Sequence, residues 1–124
     1  MKNAILLISH GSRATRAKKE VVQLSRRLRK KSRIPVFVYC FLEINHPSIP
    51  EGIERCIQQG AQKIFVLLNF LNSGLHALDD IPRLIQSSKR KHPHIEFVCT
   101  APIGQHPEIE NLFINTLSRS RKKK

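Results

Sequence analysis

The sequence predicts an α/β domain: a single four-stranded parallel sheet flanked by helices, in a flavodoxin-like three-layer sandwich. Three observations predict it. Four short runs rich in Ile, Val, Leu and Phe alternate with longer amphipathic segments along the 124 residues. The runs are nearly continuous in apolar residues, as strands of a sheet covered on both faces are. Right-handed crossovers then leave few strand orders, and 2-1-3-4 is the expected one.

The elements follow in order. Ala4-Ile5-Leu6-Leu7-Ile8 opens a strand over 4–9. A helix over 13–31 carries Ala14, Ala17, Val21, Leu24 and Leu28 at helical spacing, with a basic remainder. A strand over 35–42 leads to a helix over 47–59, where Pro47 suits a first turn and Gly60 can take the left-handed conformation that ends it. A strand over 63–69 precedes a helix over 79–91, for which Asp79-Asp80 offers a cap and negative charge. The last pair is a strand over 95–101 and a helix over 107–119 opened by Pro107. One domain, 1–119, therefore accounts for the chain up to a basic tail, 120–124, which is expected to be disordered.

The charge is the unusual quantity. Lys and Arg number 22 against 9 Asp and Glu, a net +13 with histidine neutral. Residues 13–33 hold ten of the basic groups against the single acid Glu20, and 119–124 hold five more. Such a field attracts polyanions: nucleic acid, an anionic membrane surface, or a small polycarboxylate or phosphate. Scarce aromatics (no Trp, one Tyr) and the lack of a recognition motif argue against nucleic acid, although a basic α/β nucleic-acid-binding module without catalysis is the competing reading. No apolar run approaches the ~20 residues of a membrane span. Cys40, Cys56 and Cys99 form no Cys-x-x-Cys pair and lie in apolar segments, so buried reduced thiols in a cytoplasmic protein are expected. No signal peptide is read at the start.

Ligands of open α/β sheets sit beyond the carboxyl ends of the strands. Every candidate chemical group falls on that edge. Ser9-His10-Gly11-Ser12-Arg13 follows the first strand, with Gly11 allowing close approach and the next helix turning amides toward an anion. Glu43 follows the second strand, in the position of a general base or proton acceptor. Ser73-Gly74-Leu75-His76 follows the third, and His106 follows the fourth. His46, just before Pro47, is expected to cap a helix, and His92-Pro93-His94 falls on the opposite edge as a surface loop. Neutral imidazole is the commonest metal ligand, yet stable divalent sites usually take three or four protein donors. His10 and His76 alone fall short, so substrate or a second copy of the chain must supply the rest.

Taken together the segments resemble the short-form sirohydrochlorin chelatases, small class II chelatase-like relatives of the cobalt and iron chelatases of cobalamin and sirohaem synthesis. The matches are Leu7-Ile8-Ser9-His10-Gly11-Ser12-Arg13, then Phe41-Leu42-Glu43 with Pro47-Ser48-Ile49-Pro50-Glu51-Gly52-Ile53. Phe70-Leu71 through Gly74-Leu75-His76 with Asp80-Ile81-Pro82 follow, and then Ala101-Pro102-Ile103-Gly104 with His106-Pro107. They run in order over nearly the whole chain. Asn69 stands where relatives often have proline, a departure that removes no chemical group.

The resemblance implies a homodimer that inserts a divalent metal (Co²⁺, Fe²⁺ or Ni²⁺) into sirohydrochlorin, with no permanently bound cofactor. Carried over by motif, His10 and His76 bind the metal, and His10, Glu43 and His76 are the catalytic set. Ser9, Gly11, Ser12, Arg13, Ser73, Gly74 and His106 would contact the tetrapyrrole. The chemistry agrees with the residues. Imidazoles suit Co, Fe and Ni alike, and two pyrrole N–H protons need acceptors. A ring bearing eight carboxylates gives a +13 chain something to attract.

Overall fold

A computed structural model describes residues 2–72, 74 and 76–122, apart from the side chains of His76, Ala77 and Lys122. The strands are β1 (Asn3–Ser9), β2 (Val36–Phe41), β3 (Lys63–Leu68) and β4 (Glu96–Pro102). They form one parallel sheet in the expected order β2-β1-β3-β4. The helices are α1 (Thr15–Ser32), α2 (Ile49–Gln58), α3 (Asp80–Lys91) and α4 (Ile109–Lys122).

The first crossover runs one way along the sheet and the next two run the other. With right-handed connections this puts α1 on one face and α2 and α3 on the opposite face. The α2–α3 side holds the main core. Ala4, Leu6 and Ile8 of β1, Val38 and Cys40 of β2, and Ile64 and Val66 of β3 pack there against Ile49, Ile53, Ile81 and Ile85. Gly52 lets α2 lie close on the sheet, because a Cβ there would come within 2.9 Å of both Cys40 Cβ and Leu6 Cδ1.

Helix ends depart from the expected positions for local reasons. Ser48, not Pro47, caps α2: its hydroxyl accepts from the Glu51 amide while the Glu51 carboxylate accepts from the Ser48 amide. Pro47 lies outside the helix after a cis peptide from His46, and Pro50 is the proline of the first turn. His46 reaches the same cap through Nδ1, 2.7 Å from Glu51 Oε1. Gly60, at φ 92, closes α2 as expected. Asp79 has helical backbone because a 3-10 turn, His76–Asp79, leads straight into α3. On the opposite edge His92 Nε2 lies 2.8 Å from Glu54 Oε1, tying the end of α3 to α2 and holding that carboxyl below its ordinary range.

Two expectations need correction, the disorder of the tail and the burial of Cys99. Past Ile109, every described side chain of α4 is exposed. That helix also continues through Ser120, Arg121 and Lys122, the first part of the tail expected to be disordered, while Lys123 and Lys124 lie outside the described residues. All three cysteines are free thiols, and Cys40 and Cys56 are buried as expected. Burial raises both thiols, Cys56 to about 12. Cys99, expected to be buried, is exposed on the edge strand β4. No described helix is long and apolar enough to cross a membrane.

Candidate functional site

The pairing of β1 with β2 continues one step beyond both strands. Leu42 N–H donates to Ser9 O at 2.8 Å, and Glu43 N–H donates to His10 O at 3.1 Å. This extension sets the two side chains beside each other, with His10 Nε2 2.9 Å from Glu43 Oε1. Both are about half exposed, at 47% and 54%, so the pair lies open at the edge of the sheet.

The backbone around the pair is tightly determined. Gly11 sits at φ 106 against the Glu43 carbonyl, and a Cβ there would lie 1.9 Å from that oxygen. The close approach for which Gly11 is needed is therefore made by protein backbone. Glu43 O also accepts from Asn45 N–H at 2.8 Å, closing a three-residue turn over Ile44 at φ 71. A β-branched residue at positive φ is a strained conformation that the surroundings must hold in place. Asn45 helps hold it, its Oδ1 accepting from Ser12 N–H at 2.7 Å. Ser12 Oγ in turn accepts from Ala14 N–H, and α1 then starts without a side-chain cap or an acid in its first turn.

Ser9 is buried, and its hydroxyl accepts from Asn69 Nδ2 at 3.0 Å, while Asn69 N–H donates to Ile8 O. Asn69 thereby ties the end of β3 to the root of the His10 turn. The loop after β3 carries His76 back to the same edge as the first residue of the 3-10 turn, although its side chain is not among those described. Gly74 is exposed with open space around it, and Ser73 lies outside the described residues. Arg13, three residues after His10, is exposed. His106 is exposed as well, but its Nδ1 accepts from Glu108 N–H at 3.0 Å, a contact that shapes the approach to α4.

Beside Glu43 opens a cleft of about 340 Å³ lined by Leu42, Glu43, Asp80, Arg83 and Leu84. Arg83 pairs there with Asp80, putting a guanidinium close to the carboxylate. Sequence reasoning missed Arg83, Asn45 and the tie made by Asn69. For Arg83 the available signal was its position one turn into the helix that His76 leads into. The two asparagines follow the ends of β2 and β3, where an amide can satisfy backbone groups beyond the ladder.

The pair has a definite chemistry. A neutral His10 that donates from Nε2 to Glu43 keeps its lone pair on Nδ1. Metal-binding histidines commonly give their other N–H to a carboxylate, which fixes the tautomer and strengthens the ligand. Among the described residues no group of three or more His, Cys, Asp or Glu comes together.

Residues 4–120 match the CbiX family. The chain belongs to that family. It is 31% identical to a sirohydrochlorin ferrochelatase of Priestia megaterium over 95% of its own length and 44% of that protein's. It is 34% identical to a sirohydrochlorin cobaltochelatase of Methanocaldococcus jannaschii over 72% of its length and 62% of that protein's. The structure superimposes on the cobalt complex of the sirohydrochlorin chelatase SirB from Bacillus subtilis subspecies spizizenii with a TM-score of 0.86 and 33% identity. That match covers 96% of this chain and 51% of SirB. This CbiX-family chain thus spans about half the length of the ferrochelatase and of SirB.

Proposed function

We propose that this CbiX-family protein inserts a divalent metal ion, Co²⁺ or Fe²⁺ with Ni²⁺ a third candidate, into sirohydrochlorin. The observation that carries the proposal is the contact of 2.9 Å between His10 Nε2 and Glu43 Oε1 at the carboxyl edge of the sheet. The names of its relatives supply the reaction: ferrochelatases and cobaltochelatases of sirohydrochlorin occur among them.

In this reading His10, oriented by Glu43, and His76 hold the incoming ion, which is a substrate and not a resident cofactor. Imidazole binds Co²⁺ and Fe²⁺ firmly enough to deliver them and loosely enough to let them go. Insertion breaks two pyrrole N–H bonds and forms four metal–nitrogen bonds. The two protons pass to acceptors at the same edge, with Glu43 the principal one and the imidazoles His10 and His76 beside it. Ser9, Gly11 and Ser12 shape the turn, while Arg13, Gly74, His106 and the unforeseen Arg83 meet the carboxylates of the ring.

One consideration favours a homodimer: a two-histidine half-site lacks donors that a second half-site can supply. The reaction uses a soluble, small-molecule substrate, consistent with a cytoplasmic location.

The test is anaerobic incubation of sirohydrochlorin with each of Co²⁺, Fe²⁺ and Ni²⁺, followed by absorbance. Protein-dependent conversion to the metallated spectrum with at least one metal is expected. No acceleration over the uncatalysed rate with any of the three would overturn the proposal.

A further inference from the structure

Outside α4, the described residues expose three large apolar side chains, and all three stand on one edge of the sheet. Ile44, past the end of β2, is 54% exposed; Leu71, past β3, is 60% exposed; and Ile103, past β4, is 47% exposed. In the order β2-β1-β3-β4, His10 follows β1, so it falls between Ile44 on one flank and Leu71 and Ile103 on the other. Neighbouring strands lie about 4.8 Å apart, which makes this row of strand ends about 14 Å wide. Leu71 and Ile103 belong to loops that are packed together. Gly104 N–H donates to Phe70 O at 3.0 Å, and a Cβ on Gly104 would stand 1.8 Å from Leu71 O.

Ile44 is the one of the three whose side chain most needs a cause. Its backbone is at φ 71, inside the turn that Asn45 N–H closes on Glu43 O. The turn has a reason of its own, since it follows the carboxylate that meets His10 and brings Asn45 Oδ1 to the Ser12 amide. The side chain does not share that reason. Glycine takes positive φ without strain and asparagine takes it more readily than most residues, whereas a β-branched residue is among the least suited. Burial of an apolar side chain can offset such a cost, yet Ile44 is more than half exposed. What its side chain packs against therefore comes from outside the chain.

We infer that Ile44, with Leu71 and Ile103 on the other flank of His10, forms an apolar seat for the flat face of the tetrapyrrole. The inference rests on the function proposed above and names the part of the substrate that this edge meets. The chemistry of insertion selects the face. The ring nitrogens lie in the plane of the macrocycle, so an ion delivered from His10 has to enter through a face and not through the rim. That face is carbon and π surface, which aliphatic side chains match. The carboxylates lie on the periphery, for which Arg13 and Arg83 supply cations. Ile44 directly follows Glu43, so a ring resting on it has its N–H groups brought toward the proton acceptor. The strain held at φ 71 thus serves to present an apolar surface beside the reacting groups.

The full chain carrying Ile44→Gly, Ile44→Asn or Ile44→Leu tests this, with sirohydrochlorin as the probe. Affinity for the metal-free tetrapyrrole is read from its fluorescence, and initial rates give KM separately for sirohydrochlorin and for the inserted metal. The glycine and asparagine variants should bind sirohydrochlorin about tenfold more weakly, because they lose the apolar contact. Their KM for sirohydrochlorin should rise more than kcat falls, while the KM for the metal stays at the parent value. Their urea midpoints should equal or exceed the parent's, since both residues relieve the strain. Ile44→Leu, which keeps the apolar bulk, should restore the affinity. Parent-like affinity in the glycine and asparagine variants would overturn the inference and leave the chelatase standing. A lower urea midpoint with both KM values rising together would show a structural role and overturn it as well. Parent-like affinity with a smaller mass by light scattering would assign the side chain to contact with a second copy instead. A parent protein that neither binds nor metallates sirohydrochlorin would overturn this inference and the proposed function together.

Discussion

Replacing Gly11 by alanine should damage both the fold and the site, and the structure sets the scale. At φ 106 the backbone is in a region that costs an L-residue roughly 1–3 kcal/mol. The new Cβ would stand 1.9 Å from Glu43 O, whereas such contacts do not occur below 3.0 Å, so one side must retreat by about 1.1 Å. The obstacle is backbone and cannot swing aside as a side chain would. The retreat strains the Glu43 N–H to His10 O bond, worth about 1 kcal/mol. Together these give about 2–4 kcal/mol, which lowers the urea midpoint by roughly 1–2 M for ordinary slopes. The same displacement separates His10 from Glu43, and a misplacement near 1 Å can cost about 100-fold in rate. Urea unfolding and an insertion assay under stabilising conditions measure the two effects independently. Gly74→Ala is the control, because nothing lies within 4 Å of a Cβ there. Parent-like unfolding and insertion in Gly11→Ala would refute the argument that this contact holds the site together.

His10→Ala and His76→Ala should each slow metal insertion severely without altering the far-UV spectrum; near-normal rates in both would remove the metal assignment. Glu43→Gln should lower turnover at saturation more than substrate affinity, since it keeps shape but cannot accept a proton; the opposite split would make Glu43 a positioning residue. Ser48→Ala should cost about 1 kcal/mol by removing the cap of α2, measurable by denaturation. Glu51, in the same cap, is held down at about 2 by the Ser48 amide first and His46 second. A carboxyl depressed in the folded state stabilises above its ordinary pKa, and that stability is lost as pH falls from about 4.5 toward 2. Glu51→Gln should therefore flatten the acid limb of the stability curve in that window, and an unchanged limb would contradict the cap as its source.

Strand order and the placement of His10 and Glu43 on one edge were legible because they depend on alternation and handedness, which a sequence carries directly. The contact between the two side chains was not. It depends on the β1–β2 ladder extending past Ser9 and Phe41, and on Gly11 meeting a carbonyl 32 positions away. The start of α2 was misjudged because Pro47 drew the reading two residues early, while Ser48 and Glu51 formed the capping box. Asn69 acts through Ser9, 60 positions away, and Arg83 matters through the cleft it shares with Glu43, both relations between separate elements that local pattern does not carry.

The charge that dominates the composition is less concentrated at the site than its total suggests. α1 leaves the His10 turn at the carboxyl edge and runs 18 residues, about 27 Å, toward the opposite edge. Arg29, Lys30 and Lys31 occupy its last turn, and Arg33, at φ 60, closes it. Physiological salt screens exposed charges beyond about 8 Å, so these groups act weakly on a ligand held at His10. Their position has a local reason, because cations in a last turn favour the negative end of the helix dipole. On the proposed function, orientation of an octacarboxylate would fall to Arg13 and Arg16, where α1 begins, and to Arg83, which lines the cleft beside Glu43. The remaining positive charge would then act on the approach of an anion rather than on where it is held.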